Sequence, residues 1–413
     1  MKMNHLDRGW VLTCFGTAVG AGILFLPIRA GVGGIWPTIV LALIIFPITY
    51  VAHRGITRIV ASCPQKTDII GAVEYDLGSN VAFAASVLYF MSIISICIGY
   101  ATGITNIVGS FMTNQLGMGE ISRPMLTFVL LALMTLVLLG GSRLMVAVTS
   151  IITFPLIFLL AVISVYMIPY WNVSIFSVPV TPAEFTKNIL LLFPILVFAI
   201  NFSPVCSSLG AFYGQEYADK QEAVKRSDNV IKWTALILLI FVMFFVFSMI
   251  LSTTPAMMAE AQKNNVDVLT AISLHFNQPI LVYVPPIIAF LAIASSYFGH
   301  FTGTREGLVG IFTRLITWNN PEKKEQLNHN KIKLVMTFIL FVALWFLAVY
   351  NPPILKIIGA LSAPIIAMYA YLMPVALMQR VPRLFIYRSK WGAFVFIMGI
   401  IGIVGDFLGS YVF

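Results

Sequence analysis

Phe15-Gly16-Thr17-Ala18-Val19-Gly20-Ala21-Gly22 lies in the middle of an apolar run that extends from about residue 10 to about residue 30. Its glycines weaken a helix at a depth where no water can satisfy the freed backbone groups. A second apolar run, near 187–213, is interrupted by Asn201-Phe202-Ser203-Pro204-Val205-Cys206-Ser207-Ser208. There Pro204 removes a backbone donor in mid-segment. Such a break persists inside a membrane only where it lines a cavity or binds something. Two breaks at matching places in two halves of a chain point to the binding site of a secondary transporter.

The composition agrees. Of 413 residues, 59% are hydrophobic and 10% charged, and the mean hydropathy is +0.94. Soluble domains are nearer 45–50% apolar and about 25% charged, so this is an integral membrane protein with little mass outside the bilayer. The net charge of +9 does not imply nucleic acid, because the basic residues are scattered among short loops and form no stripe. Cys14, Cys63, Cys97 and Cys206 include no closely spaced ligand pair and read as small, reduced, apolar side chains. Lys2 and Arg8 before an apolar run imitate a signal peptide. The run continues through Leu24 to Pro27 without a fitting cleavage site, so it reads as the first span.

A span needs about 20 apolar residues. About eleven candidates follow, near 10–30, 35–53, 81–112, 124–141, 145–168, 187–213, 230–253, 279–313, 332–350, 353–378 and 391–412. Their length makes them helices, not the ~10-residue alternating strands of a barrel. With the N-terminus inside, the cytoplasmic segments hold Lys2, Arg8, Arg54, Arg58, Lys66, Arg143, Lys220, Lys225, Arg226 and Lys232. They also hold Arg305, Arg314, Lys323, Lys324, Lys331, Lys333, Arg380, Arg383, Arg388 and Lys390. The other side receives Arg123, Lys187, Lys263 and Lys356, with Arg29 left inside a span. That bias sets the orientation, and an odd number of spans puts Phe413 outside. Two loops are amphipathic. Thr67 to Leu77 reads as a cytoplasmic surface connector. Pro255 to Phe276, with Ala256, Met257, Ala261, Val266, Leu269 and Ile272 as its apolar positions, lies where an outer lid belongs.

Spans one to five (about 9–169) and six to ten (about 186–379) each open with a broken helix, and the eleventh (about 391–412) stands apart. Five is odd, so the halves are inverted and the breaks meet near the midplane. A half-helix N-terminus favours an anion and a half-helix C-terminus a cation. An amino acid zwitterion carries both charges. The backbone at Gly20, Ala21 and Gly22 is placed to hold a carboxylate. Carbonyls near Thr17 and Ala18, and near Phe198 and Ala199, are placed to hold an ammonium. Gly16, Gly20 and Gly22 also fit a plain helix-packing face. Asn201 and Ser203, with Phe202 between them, either read a substrate hydroxyl or cap the broken helix. Tyr100 either covers the substrate or packs the bundle.

Span eight carries Ser295-Ser296-Tyr297-Phe298-Gly299-His300-Phe301-Thr302. Ser295, Ser296 and Thr302 share a polar face, and His300 reads as the one histidine deep in a span. It is either a proton carrier or a hydrogen-bonded structural histidine. Asp406 reads as an interfacial acid. No cofactor is implied, and whether a metal ion binds is left open. No His-x-x-x-His, paired intramembrane carboxylates or nucleophile elbow suggests an enzyme, and no ring of charge suggests a channel.

These stretches resemble the hydroxy and aromatic amino acid permeases of the amino acid–polyamine–organocation superfamily, and most closely the bacterial serine and threonine transporters. The matching runs are GTAVGAGILFLPIRAG (16–31), FPITYVAHRGITR (46–58), INFSPVCSS (200–208) and MFFVFS (243–248). TTPAMMAEAQKNNVDVLTAISLHFN (253–277), FGHFTGTREG (298–307) and NPPILKIIGALSAPIIAMYAYLMP (351–374) extend the resemblance over nearly the whole chain. It implies an all-α, eleven-span protein of LeuT-like 5+5 inverted-repeat architecture in a bacterial cytoplasmic membrane. It also implies import of a small amino acid, L-serine or threonine, with protons, and no obligatory protein partner. Its binding region falls on Thr17 to Gly22 and Asn201 to Ser203. The serine and threonine branch carries a lysine where this chain has Ser295. Hard hydroxyl oxygens there admit sodium as the coupling ion, and an aromatic substrate is the other open reading. Alkaline phosphatase fused to the C-terminus is expected to be active and a fluorescent protein there dark; the reverse pattern would invert the topology.

Overall fold

The structure, a computed structural model, describes residues 3–65, 67–140, 142–318 and 327–412. Lys2, Lys66, Lys323, Lys324, Phe413 and the Arg143 side chain, used above for orientation, lie outside the described residues. The described chain is helical without strands. Among the described residues, nine helices are long and apolar enough to cross a membrane, and a tenth span is a helix pair bent by 55°. The 17-residue apolar helix Arg123–Leu139 completes the eleven.

The bent pair is α1 (His5–Ala18) and α2 (Ala21–Gly33). A capping box starts α1: Asn4 Oδ1 accepts from the Asp7 N–H at 2.8 Å and Asp7 Oδ2 from the Asn4 N–H at 2.9 Å. There follow α3 (Ile35–Ala61), α4 (Ile69–Leu77), α5 (Ser79–Ser110), α6 (Arg123–Leu139) and α7 (Ser142–Tyr166). The second half opens with α8 (Pro182–Ala199) and α9 (Ser203–Glu216), then α10 (Lys220–Leu251). Short helices α11 (Pro255–Lys263) and α12 (Val268–His275) precede α13 (Pro279–Thr317) and α14 (His329–Val349). The tenth span, α15 (Ile354–Arg380), contains π turns at Ile358–Ser362 and Ala367–Leu372. The last is α16 (Lys390–Tyr411). Counting α1–α2 and α8–α9 as one span each gives five plus five plus one, with a broken span opening each half. The breaks lie together, because α2 packs on α8 and α1 on α9, while α5 and α13 pack beside them.

The second span differs from the expectation. It does not end at residue 53 but continues two turns to Ala61. The expected end falls just before Arg54, with Arg58 one turn beyond. In the folded chain the Arg54 guanidinium lies 4.6 Å over the Tyr50 ring. Arg58 makes a bidentate pair with Asp228 of α10. Both cations are engaged by helix-borne partners, so the helix carries them as sides and not as an end.

The two loops are also more structured than their composition indicates. Residues 67–77 hold α4, which packs on α3 and α5 with Ile69, Ala72 and Val73 buried. Its Glu74 pairs with Arg314 of α13 at 2.5 Å, and Asp76 with Arg383 at 2.6 Å. The connector thus ties α3, α13 and the end of α15 together. In residues 255–276, Ala256 is exposed and Met257 only partly covered, whereas Met258 is buried. Residues 268–273 are buried throughout, because α11 lies on α2 and α12 on α13. An alternating polar pattern hides this, since Asp267, Thr270 and Ser273 satisfy one another locally.

Helix α16 docks on α8 and α15 through Gly399, Gly402, Gly405 and Gly409. A Cβ on Gly405 would meet the Leu190 carbonyl oxygen of α8 at 2.7 Å. Close backbone approach of this kind is what small residues provide in membranes. Gly405→Leu is expected to lower thermal stability in detergent by about 1–3 kcal/mol. An unchanged melting temperature would contradict this packing.

Candidate functional site

The first break is two residues long. Val19 closes α1 with its N–H on the Phe15 carbonyl at 3.1 Å, and Gly20 opens α2 without a side-chain cap. The first N–H groups of α2 therefore face the break without an intrahelical partner. The Val19 carbonyl receives the Ser296 Oγ–H at 2.8 Å. A Cβ on Gly20 would lie 2.5 Å from Ser296 Oγ and 2.9 Å from Tyr100 Oη. Glycine is thus required by closeness to α13 and α5. The Tyr100 ring stands edge-on to His300, centroids 5.2 Å apart. His300 Nδ1 lies 2.8 Å from the Ser296 carbonyl, and Ser295 Oγ donates to the Ala292 carbonyl at 3.1 Å. Break one, Tyr100, Ser295, Ser296 and His300 form one cluster.

Gly22 behaves differently. A Cβ there would meet Ala199 Cα at 2.6 Å and the Phe198 ring at 2.8 Å. The space a Cβ of Gly22 would need is filled by the end of α8, so this glycine joins the two broken spans. The Thr17 hydroxyl donates to the Thr13 carbonyl at 2.8 Å, and Ala18 is buried.

At the second break, α8 ends at Ala199, and the Ile200 and Asn201 N–H groups turn back to the Leu196 and Phe198 carbonyls, each at 3.2 Å. Asn201 Oδ1 accepts from the Ser203 N–H at 3.2 Å, which begins α9. Asn201 thus makes a local capping bond, one of the two roles open to it. The Phe202 N–H donates to Nε2 of His53 at 3.1 Å. His53 Nδ1 lies 2.8 Å from the Thr49 carbonyl, and its ring stacks on Phe202 with centroids 3.9 Å apart. His300 is therefore not the sole deep histidine, since His53 is fully buried in α3. The signal was in the run FPITYVAHRG, but ending the span before Arg54 put His53 at a helix terminus.

A cavity of about 650 Å³ leads to this cluster. Gly16, Thr17, Ser295, Ser296 and His300 line its inner end. Gly9, Thr13 and Glu306 line the far end, towards the start of α1. Thr302 lines it too, as the polar face of α13 predicts, and Pro204, Val205 and Ser208 bring in α9. Asn201, Phe202 and Ser203 stand behind that wall.

The opposite side of the break is closed. A Cβ on Gly31 of α2 would lie 2.6 Å from Met258 Cγ, so α11 sits directly on α2. Asn265, between α11 and α12, has φ +55. Its side chain donates to Asn351 at 2.9 Å and accepts from the Ile354 N–H at 2.8 Å. Asn106 donates to the Asn265 carbonyl at 2.8 Å, and Arg123 holds Asn106 at 2.7 Å. These bonds fasten the α11–α12 segment to α5, α6 and α15.

Comparison with known proteins bears on this arrangement. Residues 7–403 match the tryptophan/tyrosine permease family. The chain is 37% identical over 413 residues to the serine transporter SdaC of Escherichia coli (strain K12), covering 98% of this chain and 95% of that one. It is 34% identical over 418 residues to the threonine/serine transporter TdcC of Yersinia enterocolitica, covering 96% and 94%. Among solved structures, MhsT in complex with L-phenylalanine superposes with a TM-score of 0.58 at 14% identity over 99% of both chains. A variant of the manganese transporter of Eremococcus coleocola gives 0.57 at 12% identity, over 99% of this chain and 88% of that one. At such identities the likeness is one of fold, and it is the fold with two broken spans described above.

Gly20→Ala tests the cluster. Its methyl group should displace Ser296 from the Val19 carbonyl and lower substrate affinity about tenfold, equivalent to about 1.4 kcal/mol. Adding Ser296→Gly should recover part of that loss in a binding assay. Normal binding by Gly20→Ala alone would contradict the contact.

Proposed function

The chain belongs to the tryptophan/tyrosine permease family and is an amino acid transporter of the bacterial inner membrane, not an enzyme; from this premise we propose that it imports L-serine, or threonine, with protons by alternating access. The observation that carries the reading is the bent α1–α2 break at the inner end of the cavity, with α13 and α5 closed over it. In this reading the substrate carboxylate sits on the N–H groups of Gly20, Ala21 and Gly22. The ammonium faces carbonyls at Thr17 and Ala18 and at the end of α8. Asn201 and Ser203 take the hydroxyl, Phe202 helps shape that end, and Tyr100 covers the site.

Residues 9–169 and 186–379 act as the two repeats and 391–412 as the added helix. Several contacts make α1, α3, α9 and α10 one body. Asp7 receives the Tyr213 hydroxyl and lies 3.5 Å from Arg226, and Arg58 grips Asp228. That body turns against α5 and α13. With the N-terminus in the cytoplasm, the structure is the form open inward, because the cavity leads to the start of α1 and the lid side is closed. The N-terminus inside and C-terminus outside follow from the charge bias.

Ser295, Ser296 and His300 form the ion-coupling group. His300 faces the cavity with Nδ1 held on the Ser296 carbonyl, which suits a proton carrier. A second reading is favoured by one observation: Ser296 Oγ meets the Val19 carbonyl between α13 and α1, and the adjacent Ser295 adds a second hydroxyl, bonded to the Ala292 carbonyl within α13. Such oxygens suit sodium. Labelled L-serine uptake into proteoliposomes, with pH and sodium gradients set independently, separates the two. Uptake should follow an inward proton gradient, and uptake that follows only sodium would overturn the coupling assignment. In the same vesicles serine and threonine should compete better than tryptophan and tyrosine, and the reverse order would make the substrate aromatic.

A further inference from the structure

His53 has partners of opposite kind on its two ring nitrogens. Nδ1 faces a carbonyl, that of Thr49, at 2.8 Å, and a carbonyl can only accept. Nε2 faces a backbone N–H, that of Phe202, at 3.1 Å, and an N–H can only donate. One protonation state satisfies both: the neutral ring with its hydrogen on Nδ1 and a lone pair on Nε2. The backbone group so held lies in the α8–α9 break, between Asn201 and Ser203. The imidazole also stacks on the Phe202 ring at 3.9 Å. A titratable side chain thus serves as the acceptor for a backbone donor that the broken helix leaves without a carbonyl.

We propose that His53 is a proton-binding site that sets the shape of the α8–α9 break. Neutral, it holds the Phe202 N–H and keeps the break in the form seen here. A proton taken up at Nε2 occupies the lone pair, so the ring can no longer accept. Two N–H groups then face each other, and the Phe202 N–H is released to a new partner. The backbone of Asn201 to Ser203 must move as that happens. This rests on the proton-coupled reading of the transport cycle and assigns it a second residue besides His300. In that cycle the inward-open form is the one that has given up its proton, which is the state of His53 here. His53 and Phe202 are both 0% exposed. A proton therefore reaches Nε2 only when the break opens, which prevents an uncoupled leak.

No charge competes for the site. The ionisable groups on the helices packed around α3 include Cys206, Tyr213 and Glu216 of α9, Tyr369, Tyr371, Lys356 and Arg380 of α15, Glu184 and Lys187 near the start of α8, Lys220, Glu222, Lys225, Arg226 and Lys232 of α10, Lys390 and Tyr411 of α16, and Tyr75 of α4, with Tyr50 on α3 itself. Farther along are Arg29 of α2, Asp406 of α16, Glu74 and Asp76 of α4, and Asp228 of α10, with Arg54 and Arg58 on α3 itself. Asp228 is engaged by Arg58, Asp76 by Arg383 and Glu74 by Arg314. Among the described residues His53 bonds to none of these, and its polar neighbours are Thr49, Phe202 and the Asn201 side chain. Its charge is therefore set by the break and not by a fixed counterion.

The test uses the full-length protein in proteoliposomes. His53→Gln keeps an acceptor for the Phe202 N–H but cannot titrate. It should bind L-serine and exchange internal for external serine within about twofold of the parent. Accumulation driven by a proton gradient should fall at least tenfold, and the pH dependence of exchange should flatten. Gradient-driven accumulation that matches the parent would overturn the proposal and leave proton coupling to His300. Loss of binding, exchange and accumulation together would also overturn it, since that marks a purely structural histidine. Failure of the unmodified protein to respond to the proton gradient would sink the coupled reading itself, and is scored separately in the same vesicles.

Discussion

A helix interrupted inside a bilayer leaves backbone donors and acceptors that water cannot reach, and each such group left alone costs several kcal/mol. Two spans of this protein are interrupted, and its other features follow from how the loose ends are satisfied. The Val19 carbonyl takes the hydroxyl of Ser296. The Phe202 N–H takes Nε2 of His53, and the Ser203 N–H takes the side chain of Asn201. The first of these comes from α13, and the others from α3 and from within the break itself. The broken ends are thus held by bonds of different reach. The bond from Ser296 joins α13 to the end of α1, whereas the bond from His53 joins α3 to the α8–α9 break.

The same constraint explains the glycines. Gly20 has no side chain because Ser296 and Tyr100 close on it, and Gly22 has none because α2 must lie against the end of α8. Both could be read from sequence as notches for a ligand, and only the first adjoins the cavity cluster. The N–H groups of α2 that remain without carbonyls are the natural place for a carboxylate. The α11–α12 segment is fixed by a different means. Asn265, Asn106, Arg123 and Asn351 bond through amides and backbone carbonyls. These neutral acceptors hold the segment in place without burying an ion pair, whose desolvation would be costly.

Much of this was legible in the chain. The apolar run lengths gave the spans, and the interruptions at 16–22 and 201–204 gave the two broken helices. The polar face of span eight led to Ser295, Ser296 and His300, which line one cavity. What escaped was set by contacts between segments far apart in sequence. Arg54 and Arg58 marked a helix end by composition, yet Tyr50 and Asp228 absorb their charge, and His53 was hidden behind that false end. Met258 and not Met257 faces inward because Gly31 of α2 leaves the space for it. The residues 67–77 read as a surface connector because nothing in the sequence shows that Glu74 and Asp76 have arginines waiting on α13 and beyond α15.

The central claim is that the facing ends of the two broken spans hold the amino acid. A density map of the purified protein with saturating L-serine tests it most directly. The account predicts density for one serine beside Gly20 to Gly22, with its carboxylate on the α2 N–H groups and its side chain towards Asn201. Density for the ligand elsewhere in the protein, with the breaks empty, would contradict it.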